Sequence, residues 1–497
     1  MIVAGATRKQ VRTSVSSAPT KFSLIAFVLV AAALSRGQAV PGYTPGRPSE
    51  SSGNSGVTLR LSNPTPYSGS VPQGTASPTP IALSLNDAIR RGLAANLGLL
   101  LESDNALAAR GEKWKELSDL MPHLTTATSE NVSQQNLAAR GIKFPGVPTI
   151  VGPFSYFDTR AYLSQSLFNL KSFQRTRGAA AAEQAARHSL QDARDLVVLA
   201  VGNAYLQALA QQARIETAEA QIETAKALFG KAADQQKAGL IPAIDALRSQ
   251  VELQARQQQL IVARNDFAKQ MLSLARVIGL PPGQQFNLAD KVPYQPLEAM
   301  GIDQAVQRAY ATRSDYQAAL QQVRAAEHFR SAASAEYLPS IDFAADYGAI
   351  GVTPNSLHGT FDVAGTLRLP IFEGGKTHAD VLQAEATLRQ TRSQLEDLRG
   401  RIDYDVRTAL LDLAAAADQV QVATSSVDLA NQALAQARDR FAAGVSDNLE
   451  VIQAQEAVAS ASENYIASVY AHNVAKVELA RATGDAEQGV RNFLKSN

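Results

Sequence analysis

The chain has 497 residues, of which 45% are hydrophobic and only 6% aromatic, and its formal net charge is +1. It has no cysteine, which excludes disulfides, thiolate chemistry, cysteine metal sites and an acylated cysteine anchor. A near-neutral balance gives no electrostatic reason to bind nucleic acid.

The first 39 residues carry Arg8, Lys9, Arg12, Lys21 and Arg36 and no acid. An apolar run over 22–34 follows Lys21, and Gly37 and Ala39 are small, as a signal peptidase requires. Together they predict a secretory signal over 1–39. A retained anchor is the competing reading, but a spanning helix needs ~20 apolar residues. Cleavage after Ala39 would take the net charge to about −4. Residues 40–82 are rich in proline, glycine, serine and threonine, and are expected to be disordered. Order is expected from about Leu83. Ser84 with Asp87 three residues on is a capping signal. The helix it starts should pause near Asn96, resume to Leu120 and end before Pro122. Trp114, within that helix, is expected in a core.

Two short segments follow with a period of two. A threonine-rich stretch over 124–132 is a weak strand. After a long loop, about 133–155, a second strand over 157–167 places Phe157, Thr159, Ala161, Leu163 and Leu167 on one face.

From 172 to 238 there is no proline, and only Gly178, Gly202 and Gly230 interrupt good helix formers. Small and apolar residues recur at threes and fours: Ala179, Ala182, Ala186, Ser189, Ala193 and Val197 begin the series. This is a coiled-coil seam, with one stutter where Ala200, Ala204 and Ala208 follow at four and four. Such a helix would be roughly 100 Å long. Gly239-Leu240-Ile241-Pro242 breaks it, a helix over 243–277 follows, and so short a turn makes an antiparallel hairpin.

The plan then repeats. Gly239 pairs with Gly444, an offset of 205, and Leu274-Ala-Arg-Val-Ile-Gly279 meets Leu479-Ala-Arg-Ala-Thr-Gly484 at the same offset. Upstream, Pro122 meets Pro339 and Ala88 meets Ala305, both at 217. A fixed period outranks any local motif. The repeats are placed at 83–283 and 301–488, with a linker over 284–300 and a tail over 489–497. In the second, helices are expected over 302–312 and 315–337. Ile341, Phe343, Ala345 and Tyr347 alternate with Asp342, Ala344, Asp346 and Gly348. Phe361, Val363, Gly365, Leu367 and Leu369 alternate with Asp362, Ala364, Thr366 and Arg368. These are two strands, each apolar on one face only. Phe157, Phe343, Tyr347 and Phe361 are candidate interfacial aromatics.

The fold class is therefore mainly α with a membrane β-barrel, on a duplicated helix–strand–strand–helix plan. A soluble sandwich, or a small sheet packed on helices, is the alternative. Four strands cannot close a barrel, for which ~8 is the minimum, and lipid does not tolerate open edges. The barrel must then be shared between chains. Eight strands leave an interior filled by side chains; twelve leave a lumen.

This duplicated plan, Gly-Leu-Ile-Pro-Ala-Ile-Asp at one tip and Gly-Val-Ser-Asp-Asn-Leu-Glu at the other, resembles the TolC-like outer-membrane efflux proteins. Arg313-Ser-Asp315 is similar to the family's Arg-Pro-Asp. The resemblance covers about 83–488. It implies a homotrimer with a twelve-stranded barrel in outer-membrane lipid and a twelve-helix periplasmic tunnel. It also implies a tip closed until a periplasmic adaptor and an inner-membrane transporter dock. Export of drugs, metals or unfolded proteins follows from it.

By that resemblance Glu450 and Gln453 stand where the family's constriction aspartates line the aperture. Three copies of Glu450 about an axis would make an anionic ring. Asp245, its counterpart in the first repeat, is expected to bond across the tip. The turns at Gly239, Leu240, Ile241 and at Gly444, Val445, Ser446 are the expected adaptor contacts. The family's tip latch uses a tyrosine and an arginine, whose positions here hold Phe441 and Ser446. Six histidines show no i, i+4 pair, so no metal site is expected. No phosphate-binding loop, cofactor motif or nucleophile elbow is present, and no enzyme activity is expected. The reading from a different class is a soluble periplasmic coiled-coil adaptor.

Overall fold

The computed structural model describes residues 66–493, except 142–144, 291–293, 298–299 and 447. All of them belong to the second of two units into which the chain divides, residues 62–497. The expected signal over 1–39 and the stretch 40–65 lie outside the described residues.

Part of the segment expected to be disordered is ordered. Pro66–Ser68 forms a turn of 3-10 helix, and strand β1 (Ile81–Leu83) pairs in parallel with β4 (Phe286–Leu288) of the linker. Its prolines and serines need no core of their own, because tertiary contacts fix them. Ser77 N–H bonds to Gln284, and the Asn96 amide donates to the Tyr67 carbonyl at 2.6 Å.

Helix α1 (Leu85–Ala95) is capped by Ser84, whose hydroxyl accepts from Asp87 N–H. The pause falls at Asn96, which is fully buried and caps α2 (Leu97–Ser118) through Gly98 and Leu99 N–H. Trp114 does not enter a core. It is 56% exposed, because Glu116 faces α3 and the indole points elsewhere. Strand β2 (His123–Asn136) is longer than its threonine-rich sequence suggests, and β3 (Ile150–Phe168) starts well before 157.

Helix α3 (Leu170–Lys237) is one unbroken helix of 68 residues. Gly178 sits where a Cβ would meet the Phe329 ring at 2.7 Å. Around the stutter Val197, Val198, Val201, Tyr205 and Ala208 are fully buried. There α1 wraps α3 so closely that a Cβ on Gly92 would meet Val201 at 2.5 Å. Helix α4 (Ala243–Val277) returns along it.

In the second repeat come α5 (Ile302–Thr312), α6 (Ser314–Ser334), β5 (Ser340–Gly351), β6 (His358–Arg368), α7 (Lys376–Ala442) and α8 (Asn448–Ala482). A last helix, α9 (Ala486–Phe493), occupies what was expected to be tail. It buries Ala486 and Val490 in the same core as Val197 and Leu83.

The strands form one antiparallel sheet in the order β2-β3-β5-β6. Tyr347 lies opposite Phe361, and Ala345 opposite Val363. Ala161 and Leu163 share that face across the β3–β5 pair. It is the apolar face, and it is bare: Tyr347 is 70% and Phe361 75% exposed. The acidic exception, Glu130, lies opposite Phe157. On the other face Arg160 bonds Asp158 at 2.8 Å and Asp346 at 2.7 Å, with Asp362 opposite Asp346. Below the sheet the helices keep the same order. Helices α2 and α4 pack on α3, α3 packs on α6 and α8, and both of these pack on α7.

Candidate functional site: the hairpin tips and the collar

Both long helices end in the same way. Gly239 (φ +73°) and Gly444 (φ +68°) adopt the left-handed conformation that glycine alone reaches without strain. Leu240 N–H reaches back to the Gln235 carbonyl at 2.9 Å, and Val445 N–H to that of Arg440 at 3.0 Å. These bonds satisfy helix-end carbonyls and let the chain reverse at once. Leu240 and Val445 are therefore thrust outward, each more than two-thirds exposed. Ile241 and Ser446 sit half-buried beside them.

Glu450 lies in the first turn of α8, half-exposed, with Oε1 3.4 Å from Arg440 Nε. Gln453, one turn on, is exposed on the same helix. Asp245 departs from expectation. Its carboxylate bonds Arg248 of its own helix at 3.2 Å. The bond across the tip is accepted by its main-chain carbonyl, from Asn448 Nδ2 at 3.0 Å.

Asn448 is the residue that sequence reasoning missed. It is buried, and its amide also reaches Ser249 Oγ at 2.5 Å. A second bridge is Arg256, also buried, which holds Glu252 at 2.6 Å and reaches Glu456 of α8 at 2.9 Å. The repeat gave no signal for Asn448: it stands four residues past Gly444, where the first repeat has Ala243 four past Gly239.

Phe441, in the place of the family's latch tyrosine, is buried with Leu434, Ala437 and Val451, and Leu228 of α3 packs against them. Apolar packing thus joins α3, α7 and α8 where the resemblance leads one to look for hydrogen bonds. Ser446 Oγ is buried and unbonded within the protomer.

Above the tips an ionic collar ties the two repeats. Arg313, buried between α5 and α6, grips Asp315 at 2.6 Å and Asp405 of α7 at 3.0 Å. Arg481 of α8 bonds Asp192 of α3 and lies 3.8 Å from Asp315. Burial works against the Asp315 carboxylate, but the Arg313 bond and both arginine charges outweigh it and hold its pKa below the ordinary aspartate value. Burial raises Asp192, with Arg481 pulling the other way. The Arg313-Ser-Asp315 motif is thus a joint linking α6 to α7. Among the described residues no helix is long and apolar enough to cross a membrane, and no cluster of three or more metal-type ligands occurs.

A sheet with one bare apolar face, continued by long helical columns that end in two tight tips, defines an outer-membrane export channel subunit. The family model described as outer membrane efflux protein matches residues 116–280 and 305–485, and the chain belongs to that family. It is similar to the alkaline protease secretion protein AprF of Pseudomonas aeruginosa, 25% identical over 69% of this chain and 72% of that protein. It is also similar to the probable efflux pump outer membrane protein TtgC of Pseudomonas putida, 24% identical over 81% of this chain and 83% of that one. The fold is that of the solved Campylobacter jejuni CmeC channel, with a TM-score of 0.70 at 16% identity, covering 86% and 94% of the two chains. The Vibrio cholerae VceC structure gives 0.70 at 18% identity, covering 80% and 96%. The protein is thus a non-enzymatic outer-membrane channel of efflux and secretion systems, its helices extending into the periplasm, and it works with pumps and adaptors.

Proposed function

We propose that the chain works as a homotrimer whose shared barrel of twelve strands crosses outer-membrane lipid and opens into a tunnel of twelve helical columns. The observation that carries this reading is the four-stranded sheet whose outer edges, β2 and β6, find no partner among the described residues. Unpaired edges in lipid leave backbone groups unbonded at a cost of several kcal/mol each, so only closure with further copies satisfies them. The bare face of Leu163, Tyr347, Phe361 and Val363 is suited to acyl chains. The face with Arg160, Asp158 and Asp346 is suited to a watery lumen. Three copies leave room for that lumen, whereas two would fill it with side chains.

In this reading the repeats at 83–283 and 301–488 are the two halves of each third of the tunnel. Glu450 and Gln453 line the periplasmic aperture. The apolar turns, Gly239-Leu240-Ile241 and Gly444-Val445-Ser446, meet a periplasmic adaptor, which couples the channel to an inner-membrane transporter. The relatives' names cover protease secretion, antibiotic and toluene efflux and pyoverdine export, and the cargo is a protein or small solute of that range. Native mass spectrometry of the detergent-extracted outer-membrane fraction tests the assembly. Three chains are expected; two chains, a stable monomer, or recovery wholly in the soluble periplasm would overturn it.

A further inference from the structure

Helix α8 carries buried polar groups for which the tunnel has no use. His472 is 1% and Asn473 2% exposed. Neither ring nitrogen of His472 has a hydrogen-bond partner, and nor does Oδ1 of Asn473. Buried polar atoms are nearly always bonded, so each such atom asks for an explanation. Asn473 stands at the wall of a cavity of about 280 Å³ between α3, α8 and the linker, with its Oδ1 itself buried.

The walls of that cavity are Tyr294, Tyr465 and Tyr470, with leucine, isoleucine and valine side chains between them. Tyr294, from the linker, packs on His472 with ring centroids 4.7 Å apart. Among the described residues that line the cavity the charged ones are both acidic, Glu216 and Asp290. Asp290 is held in place, its Oδ2 accepting from Leu85 N–H at 2.6 Å and Tyr205 Oη at 3.1 Å. Glu216 is exposed at the rim.

Among the described residues the nearby cations do not oppose this. Lys476 does not line the cavity, and its ammonium is turned to the Phe493 carbonyl at 3.4 Å. Arg214 is occupied by both oxygens of Glu463. Burial, aided by the Lys476 charge, takes the His472 pKa down to about 4, so the ring behind Tyr294 is neutral at physiological pH.

We propose that this cavity binds an arylalkylamine in its ammonium form. Its N–H groups meet the two carboxylates, and its apolar body lies against the tyrosine rings. Tyrosine faces attract organic cations, and an apolar pocket with a few convergent polar groups is the usual form of a small-molecule site. The occupant bridges the linker, α3 of the first repeat and α8 of the second. Both helices come from one chain, so the site needs no second copy.

Equilibrium dialysis of the full chain in lipid nanodiscs tests the proposal, with tryptamine as probe and empty nanodiscs as the blank. Saturable binding of one tryptamine per chain is expected. Indole-3-acetate, of the same body but opposite charge, should bind about tenfold more weakly or worse. The trimethylated ammonium analogue, which has no donor hydrogens, should also bind more weakly. Glu216→Gln, a rim change that leaves packing intact, should weaken tryptamine about tenfold, and Asn473→Leu should do the same by intruding on the cavity. Absence of saturable binding, equal binding of the anion, or wild-type affinity in both variants would overturn the site.

Discussion

Asn448 in the second repeat reaches Ser249 in the first, amide to hydroxyl, at 2.5 Å, and both side chains are buried. The same amide bonds the Asp245 carbonyl, so one side chain ties the start of α8 to the first turns of α4. Replacing it by alanine leaves two buried oxygens without that donor, at a cost of about 1–3 kcal/mol. Asn448→Ala should loosen the two tips against one another. In planar bilayers it should raise single-channel conductance and the frequency of open events. Unchanged conductance, with the variant correctly assembled, would show that this bond does not hold the tip.

The aperture acid makes a second prediction. Three copies of Glu450 in a narrow pore would concentrate cations and hold multivalent ones. Polyvalent cations added from the periplasmic side should block the channel. The block should be weaker than a double acidic ring gives, since Gln453 is neutral. Arg440, 3.4 Å from Glu450, tempers the ring further. Glu450→Gln should abolish most of the block, Arg440→Ala should strengthen it, and Asp245→Asn should change it little. Equal effects of the two acid substitutions would place Glu450 away from the constriction.

A third test concerns Gly178. A methyl group there meets the Phe329 ring at 2.7 Å, closer than a ring can be approached without moving. Gly178→Ala should destabilise the protein by about 1–3 kcal/mol through overpacking. Adding Phe329→Leu should restore part of the loss, as read from urea midpoints. A neutral single substitution would show that α6 can shift freely away from α3.

Stability should also depend on Asp195. Burial raises its pKa to about 6, with Arg481 and Arg194 pulling down and Asp192 and Glu487 pushing up. The folded carboxyl therefore holds its proton more tightly than an unfolded aspartate, whose ordinary value is 3.8. Its ionisation costs the fold nothing below about pH 4, an increasing amount from pH 4 to 6, and a constant amount above. Asp195→Asn removes that cost. It should raise the unfolding temperature by about 2 °C or more at pH 7.5 and have no effect at pH 4. An equal gain at both pH values would assign the effect to packing.

Much of the helical plan was legible because its punctuation is local. Residues 243–277 and 302–312 were read to their ends, α4 being set by a glycine-proline turn and Gly279, and α5 by Gly301 and the break at Arg313. Strand β2 was half-hidden, since threonine and serine suit lumen and lipid margins alike and show no alternation. Trp114 misled because its helix lies at the margin of the protomer, where a large apolar residue has no neighbour within the chain. Helix α9 is short, and its apolar side is set by the core around Val201 rather than by length. At the tip, Glu450 was singled out only through the resemblance. Asn448 was not, because a single asparagine has no period and its partners lie some 200 residues away in the sequence.

The two unpaired strands carry a consequence for inheritance. In the proposed trimer each copy would give β2 to one neighbour and β6 to the other, so a fault in either edge would be felt by a chain that does not carry it. A cell making equal amounts of sound and edge-damaged protein would assemble wholly sound rings only about one time in eight, by random draw of three subunits. A proline placed in β6 should accordingly behave as a dominant trait, poisoning export even while the normal gene is expressed beside it.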